Sequence, residues 1–311
     1  MKRVVVIFSL LLAVLLSVLY FGISSQQSFA RAVTVACGSE GALRVLGTER
    51  NNKQGWPGEK LNDSMYRFEQ LQYTAGRTLF NTSGLQFTVA EKTFAGELIL
   101  EKLNYESTRF TIQVVHKLPL HPIERIANYF ALRQLKKNVD ALLAAFKKKF
   151  DGEEFIYGFK IEMSRVKDAA MISRSIILNH YPTVKEIYDA VDAIQQHIAA
   201  NGGIVSNAPM LNVYKDGSDE YLMMVAVPTK TPVAGNETFM QKRMLANGYI
   251  LVSEVTGGDA TIQNGLAAMQ QYVTEHHKSS PAIPFQMLLT DRRTEADTSK
   301  WKTMLYYPVM Y

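Results

Sequence analysis

One strand is written twice in this sequence. Residues 219–230 read DEYLMMVAVPTK and residues 299–311 read SKWKTMLYYPVMY, each an apolar alternating run closed by a proline. The surroundings match too. Ahead of the first copy lie a strand near AAMISRSIILNHY, a helix from about Thr183 to Ala200 ended by the NGG at 201–203, and the strand PMLNVYKD. Ahead of the second lie GYILVSEVTG, a helix from about Ala260 to His277, and PAIPFQMLLTD. Tyr214 and Leu288 are 74 positions apart and Pro228 and Pro308 are 80 apart, the surplus falling in the turn RRTEADTSKW. A unit that cannot bury its apolar face alone must pack against its copy, so residues 155–311 are expected to form two β-α-β-β units in tandem.

The residues before the repeat read differently. Met65 to about Leu118 is strand text punctuated by Gly76, Gly84 and Gly96, with Phe110, Ile112 and Val114 alternating against Thr111, Gln113 and Val115. Pro119 and Pro122 break the pattern. A helix then runs from Pro122 to about Phe150 with Ile123, Ile126, Phe130, Val139, Leu142, Phe146 and Phe150 at helical spacing. Its FKKKF end places lysines at the negative pole of the helix. A curved antiparallel sheet closed by one long helix is a helix-grip arrangement. The fold class is therefore α+β, in three parts: an N-terminal segment at 1–30, a helix-grip domain at 31–150, and the tandem repeat at 155–311, with DGEE (151–154) as linker.

The N-terminal segment has a short positive start, Lys2 and Arg3, and then 20 uncharged residues from Val4 to Ile23. That length is enough to span a bilayer with the basic flank on the cytoplasmic side and the rest of the chain exported. The expectation is a membrane anchor at residues 4–23. The alternative is a signal peptide cut near Ala30, where SFA places small residues before Arg31. Cys37 is the only cysteine, so no intrachain disulfide is available. A net charge of +5 on 311 residues, with no basic-aromatic interleaving, predicts no nucleic-acid partner.

The segments GGIVSNAP (202–209), NAPMLNVYKD (207–216), LANGYILVSEVTGG (245–258), PFQMLLTD (284–291) and WKTMLYYPV (301–309), in that order, resemble the GyrI-like small-molecule-binding domains, which also serve as effector-binding modules of transcription regulators. The resemblance implies two pseudo-symmetric sheets facing each other across a groove that binds amphipathic or cationic organic molecules. Residues 31–150 resemble, more loosely, the polyketide-cyclase-like (SRPBCC) helix-grip domains, through QGWPGE (54–59), the strand series and the long helix. One departure matters. Where GyrI-like domains often carry a strand glutamate, this chain has Gln286, with Leu288 at the tyrosine position. A neutral amide cannot pair with a cation. Glu254, on the preceding strand, is the acid that could stand in.

Candidate ligand-binding residues are thus Tyr214, Glu254, Gln286, Trp301 and Tyr306. Tyr306 and Met304 share one strand face, while Tyr307, Leu305 and Thr303 share the other, so one face packs on a helix and the other is free to line a groove. Core packing is the competing reading of each aromatic. The six histidines show no metal-ligand spacing. No nucleophile elbow, P-loop or dinucleotide fingerprint occurs, so neither catalytic residue nor metal nor cofactor is expected. Glu97 and Glu101 share a strand face and read as a solvated surface. The leading expectation is a non-catalytic, membrane-anchored binding protein for a hydrophobic or amphipathic small molecule, on the periplasmic or other exported side. A hydrolase using Glu254 or a groove tyrosine, and an interaction module with filled pockets, are the alternatives.

Overall fold

The computed structural model describes residues 14, 17, 20–47, 55–167, 170–215, 217 and 219–310. Among these, no helix is long and apolar enough to cross a membrane. Most of the predicted anchor at 4–23 lies outside the described residues. The chain divides into two compact units, one ending at Gly152 and one beginning at Glu153.

In the first unit, seven antiparallel strands follow the order β1-β7-β6-β5-β4-β3-β2. They are β1 (Gln26–Val35), β2 (Glu59–Lys60), β3 (Met65–Phe68), β4 (Leu71–Leu79), β5 (Thr82–Val89), β6 (Lys92–Lys102) and β7 (Thr108–Lys117). Helix α1 (Ser39–Gly47) follows β1, and the long helix α2 (Pro122–Phe150) packs on β1 and on β5 to β7. The inward alternation of Phe110, Ile112 and Val114 appears as complete burial. Glu97 and Glu101 lie exposed, with Glu101 paired to Arg109 at 3.0 Å.

The first turns of α2 correct the expected apolar stripe. Ile123 and Phe130 are exposed, and Arg125, Asn128, Leu132 and Leu135 face inward instead. Arg125 wins this place because Nη2 donates to the Ile23 carbonyl at 2.5 Å and the guanidinium lies 4.5 Å from the Tyr20 ring centroid. Further along, Phe146 meets Trp56 at 5.8 Å and Phe110 at 5.6 Å, and Tyr66 stacks on Tyr73 at 5.4 Å. Tyr73 donates to the Pro57 carbonyl at 2.6 Å, and burial pushes its phenol far up from its ordinary value. These aromatics fill the space between sheet and helix, each contributing about 1.5–3 kcal/mol on burial. Trp56 is a packed residue of the GWPG turn, and Cys37 a buried free thiol.

The second unit opens with the short helix α3 (Glu153–Tyr157) and holds a single eight-stranded sheet. Its first half is β9 (Ala170–Leu178), α4 (Val184–Ala200), β10 (Met210–Lys215) and β11 (Tyr221–Pro228). Its second is β13 (Tyr249–Thr256), α5 (Asp259–Glu275), β14 (Phe285–Leu288) and β15 (Lys302–Pro308). A capping box between Thr183 and Glu186 starts α4, and Gly202 at φ +69° follows its end, as glycine does best.

The expected pair of separate sheets is corrected here. The halves join edge to edge through β10 and β14, Met210 facing Met287 and Leu211 facing Gln286. Two further strands, β8 (Glu162–Arg165) and β12 (Met240–Arg243), complete the order β12-β9-β11-β10-β14-β15-β13-β8. Each is exchanged: β8 precedes the first repeat but pairs with β13 of the second, and β12 precedes the second repeat but pairs with β9 of the first. The pairings Met210 with Ala226 and Phe285 with Tyr306 make Met210 and Phe285 equivalent. Leu288 therefore corresponds to Val213 rather than to Tyr214, whereas Pro228 and Pro308 are equivalent as expected, facing Met171 and Ile250.

Candidate functional site

Strand alternation gives the second sheet two different faces. One packs against the helices: Ile172, Leu211, Met223, Val225 and Leu288 form a core with Ile187, Val191 and Ile194 of α4. On the other half Leu305 and Tyr307 face α5, and the Tyr307 hydroxyl donates to Gln270 Oε1. Burial raises the Tyr307 phenol above its ordinary value. The opposite face carries no helix of this unit and is concave.

The floor of that concavity is set by register. Met210, Met287 and Met304 stand side by side on β10, β14 and β15, and Phe285 faces Tyr306. The two rings stack with centroids 5.0 Å apart and planes 15° apart. Ile250, Val252 and Glu254 of β13 extend the wall toward β8, and Met244 closes over from the loop after β12. The cavity measures about 530 Å³ and is open to solvent on one side. Across Met210, Phe285 and Met244 lies a second compartment of about 230 Å³, lined in addition by Met171, Met224 and Lys242. With Met163 of β8, seven of the thirteen methionines thus line one groove. Methionine is unbranched and polarizable, so such walls adapt to differently shaped apolar ligands.

Electrostatically the larger compartment is mixed, lined by Lys160, Arg165 and Lys167 as well as by Glu162 and Glu254. Lys160 pairs with Glu162 at 2.5 Å, and Arg165 lies 3.5 Å from the Tyr249 ring centroid while donating to the Asn247 carbonyl. Glu254 lies beside Met304 on the cavity wall, exposed, and no cationic side chain among the described residues is within ion-pair distance of it.

The five candidate residues separate. Glu254 and Tyr306 line the larger compartment. Tyr214 is on the groove face of β10 but at its exposed end, 59% accessible, beyond both compartments. Gln286 and Trp301 are a correction, because both are buried on the helix side. Gln286 shares its face with Leu211 and Leu305, where its Oε1 accepts from Arg292 Nη2 at 3.0 Å. The same nitrogen donates to Thr303 Oγ1 at 3.2 Å. The Arg292 guanidinium lies 4.6 Å from the Trp301 ring centroid, and Trp301 Nε1 donates to the Glu295 carbonyl at 2.8 Å. Burial lowers the Arg292 pKa, against the pull of Asp259. This amide holds a buried guanidinium in place and does not face the groove.

Met304 is placed with Tyr306 by alternation, but the other groove methionines and Phe285 do not stand out as site residues in the sequence. Their signal is present: Met210, Phe285, Met287 and Met304 occupy alternate positions on three strands. Methionine in a strand nonetheless reads as ordinary core. Among the described residues, no group of His, Cys, Asp and Glu is arranged to hold a metal ion.

No protein-family model matches the chain, and no curated protein matches it. Solved structures do. The C-terminal domain of EcmrR matches 49% of this chain and 98% of its own, at 11% identity and a TM-score of 0.41. A hydrolase from Listeria innocua matches 49% of this chain and 92% of its own, at 16% identity and a TM-score of 0.37. The di-domain ARO/CYC BexL from the BE-7585A biosynthetic pathway matches 91% of this chain and 85% of its own, at 12% identity and a TM-score of 0.32. The fold described above stands on the chain's own strand order and register.

Proposed function

We propose that the protein binds an amphipathic small molecule in the groove of its second unit, without transforming it, while residues 4–23 anchor it in a membrane and its folded part lies on the exported side. The observation that carries the binding reading is the cavity of about 530 Å³, a size suited to a small organic ligand, walled by methionines and the Phe285–Tyr306 stack. Glu254 is the acid on that wall, so the ligand presents a positive group there and lays its apolar body across Met287 and Met304. The anchor reading rests on the uncharged run from Val4 to Ile23.

The test is photolabelling of the full chain in lipid nanodiscs with dodecylamine that carries a diazirine in its alkyl chain. Crosslinked peptides are mapped by mass spectrometry. Labels on β10, β14 and β15, reduced in Glu254→Gln, are the expected result. Labelling spread over the surface, or none in the second unit, would overturn the reading. Turnover of a panel of amphipathic amides and esters, lost in Glu254→Gln, would replace binding with hydrolysis.

A further inference from the structure

The groove has two compartments, both with basic groups at their margins, Lys160, Arg165 and Lys167 around the larger and Arg243 beside the smaller, and two charged side chains of opposite sign stand on the groove face of the sheet itself. Glu254 stands in the larger one. In the smaller one stands Lys242, on β12, where its pairing with Met171 turns it to the groove face. Lys242 is half-buried, and its Nζ lies 3.5 Å from the thioether sulfur of Met224, a contact with no countercharge. No carboxylate among the described residues is within ion-pair distance of it. An ammonium drawn over apolar surface without a partner forgoes hydration that a ligand anion would replace. Glu254 is exposed and keeps more of its water, so its part is a charge at the other end of the groove rather than a stranded one.

The internal repeat does not explain this polarity. The position equivalent to Glu254 in the first repeat is Ser175, since each faces the matching methionine, Met304 or Met224. The position equivalent to Lys242 is Ser164, facing Ile250 as Lys242 faces Met171. Because β8 and β12 are exchanged, each half of the sheet has one charge where the other half has a serine, and the two charges fall at opposite ends of one methionine-lined path across Met210, Met244 and Phe285. Six strand steps separate β12 from β13, roughly 29 Å along a flat sheet and less across a concave one.

Resting on the binding reading above, we infer that the groove takes an elongated ligand charged at both ends, its cationic group at Glu254 and its anionic group at Lys242, with an apolar chain between. A single-headed cation fills the larger compartment alone and leaves Lys242 unpartnered.

The experiment is competition against the dodecylamine photolabel on the full chain in nanodiscs. The competitors are ω-amino fatty acids from dodecyl to hexadecyl length, each compared with the plain amine of the same length. The doubly charged competitor is expected to displace label at roughly tenfold lower concentration at its best chain length, as one added charge-assisted contact would give. In Lys242→Met that ratio collapses toward one, and in Lys242→Arg it is kept. Comparing competitors within each variant removes any change in folding or in lipid partitioning. A ratio near one at every length in the unaltered chain, with the groove still labelled, would overturn this inference and leave the binding reading standing. A ratio that survives Lys242→Met would do the same. A groove that takes no label at all would remove both.

Discussion

Phe285 and Tyr306 stack in near-parallel planes, 5.0 Å apart, at facing positions of two neighbouring strands. In the first repeat the equivalent pair is Met210 and Ala226. The second copy of the strand thus has an aromatic where the first has alanine, and this places a ring in the lining of the larger compartment. Tyr306 and its neighbour Tyr307 point to opposite faces, which lets their roles be separated by experiment. Tyr306→Ala is expected to weaken dodecylamine binding about 5- to 10-fold with a minor change in stability. Tyr307→Ala is expected to destabilise the fold by about 3–5 kcal/mol. Label displacement and urea denaturation read the two effects.

Gln286 lies on the helix side of the sheet and Glu254 on the groove side, so restoring a glutamate at 286 should not restore a cation site. Gln286→Glu is expected to leave amine affinity within about twofold, while Glu254→Gln lowers it about tenfold, the loss expected for one charge-assisted contact. Direct titration of both variants with dodecylamine decides the point.

Arg292 is buried and donates to Gln286 and Thr303. Arg292→Leu strands two buried acceptors, and a loss of about 3 kcal/mol is expected in denaturant unfolding. Arg292→Lys recovers little of it, because a compact ammonium does not replace the delocalised guanidinium that lies 4.6 Å from the Trp301 ring centroid.

Gly265 sits mid-helix in α5, where alanine would ordinarily stabilise by about 1 kcal/mol. Here a Cβ would come within 2.5 Å of Leu305 Cδ1 and 3.3 Å of Val255. Gly265→Ala is expected to destabilise by about 1–3 kcal/mol, the usual result of overpacking, visible as a lower melting temperature.

Asp151 ties the end of α2 to the end of β1. Its carboxylate accepts from the Ala36 backbone N–H at 2.9 Å and from Lys147 Nζ at 3.0 Å, and these contacts hold its pKa below the usual carboxylate range. Because folding favours the ionised form, the contribution is complete above the unfolded value of about 3.9 and is lost as pH falls below it through the folded value. The side chain is partly exposed, so the effect is under about 1 kcal/mol. Asp151→Asn should flatten the stability profile in that acidic window and leave its shape at neutral pH alone.

What could be read in advance follows from length and redundancy. The helices α2, α4 and α5 carry many turns of apolar periodicity, and α4 adds a capping box. The repeat shows twice over, in Pro228 and Pro308. Where an element is short, its facing was not legible. Phe-Gln-Met-Leu is a four-residue strand with no clear alternation, and only its pairing with Leu211 and Leu305 turns Gln286 toward the helices. The strands β8 and β12, Glu-Met-Ser-Arg and Met-Gln-Lys-Arg, are too polar and too brief to announce themselves. Without them neither the single sheet nor the position of Lys242 could be placed. The burial of Arg125 and Arg292 likewise depends on partners far away in the chain.

The exchange of β8 and β12 also has a consequence for symmetry. Each half borrows its outermost strand from the other, so a chain holding one repeat would lack an edge that only another copy could supply. Two such chains, trading leading strands about a two-fold axis, would rebuild the whole sheet as a symmetric dimer. The present molecule has the strand connectivity of such a dimer, joined in one chain. In one chain the two sides need not match, so one holds glutamate and the other lysine where their counterparts are serines, a freedom that a dimer of identical chains does not have.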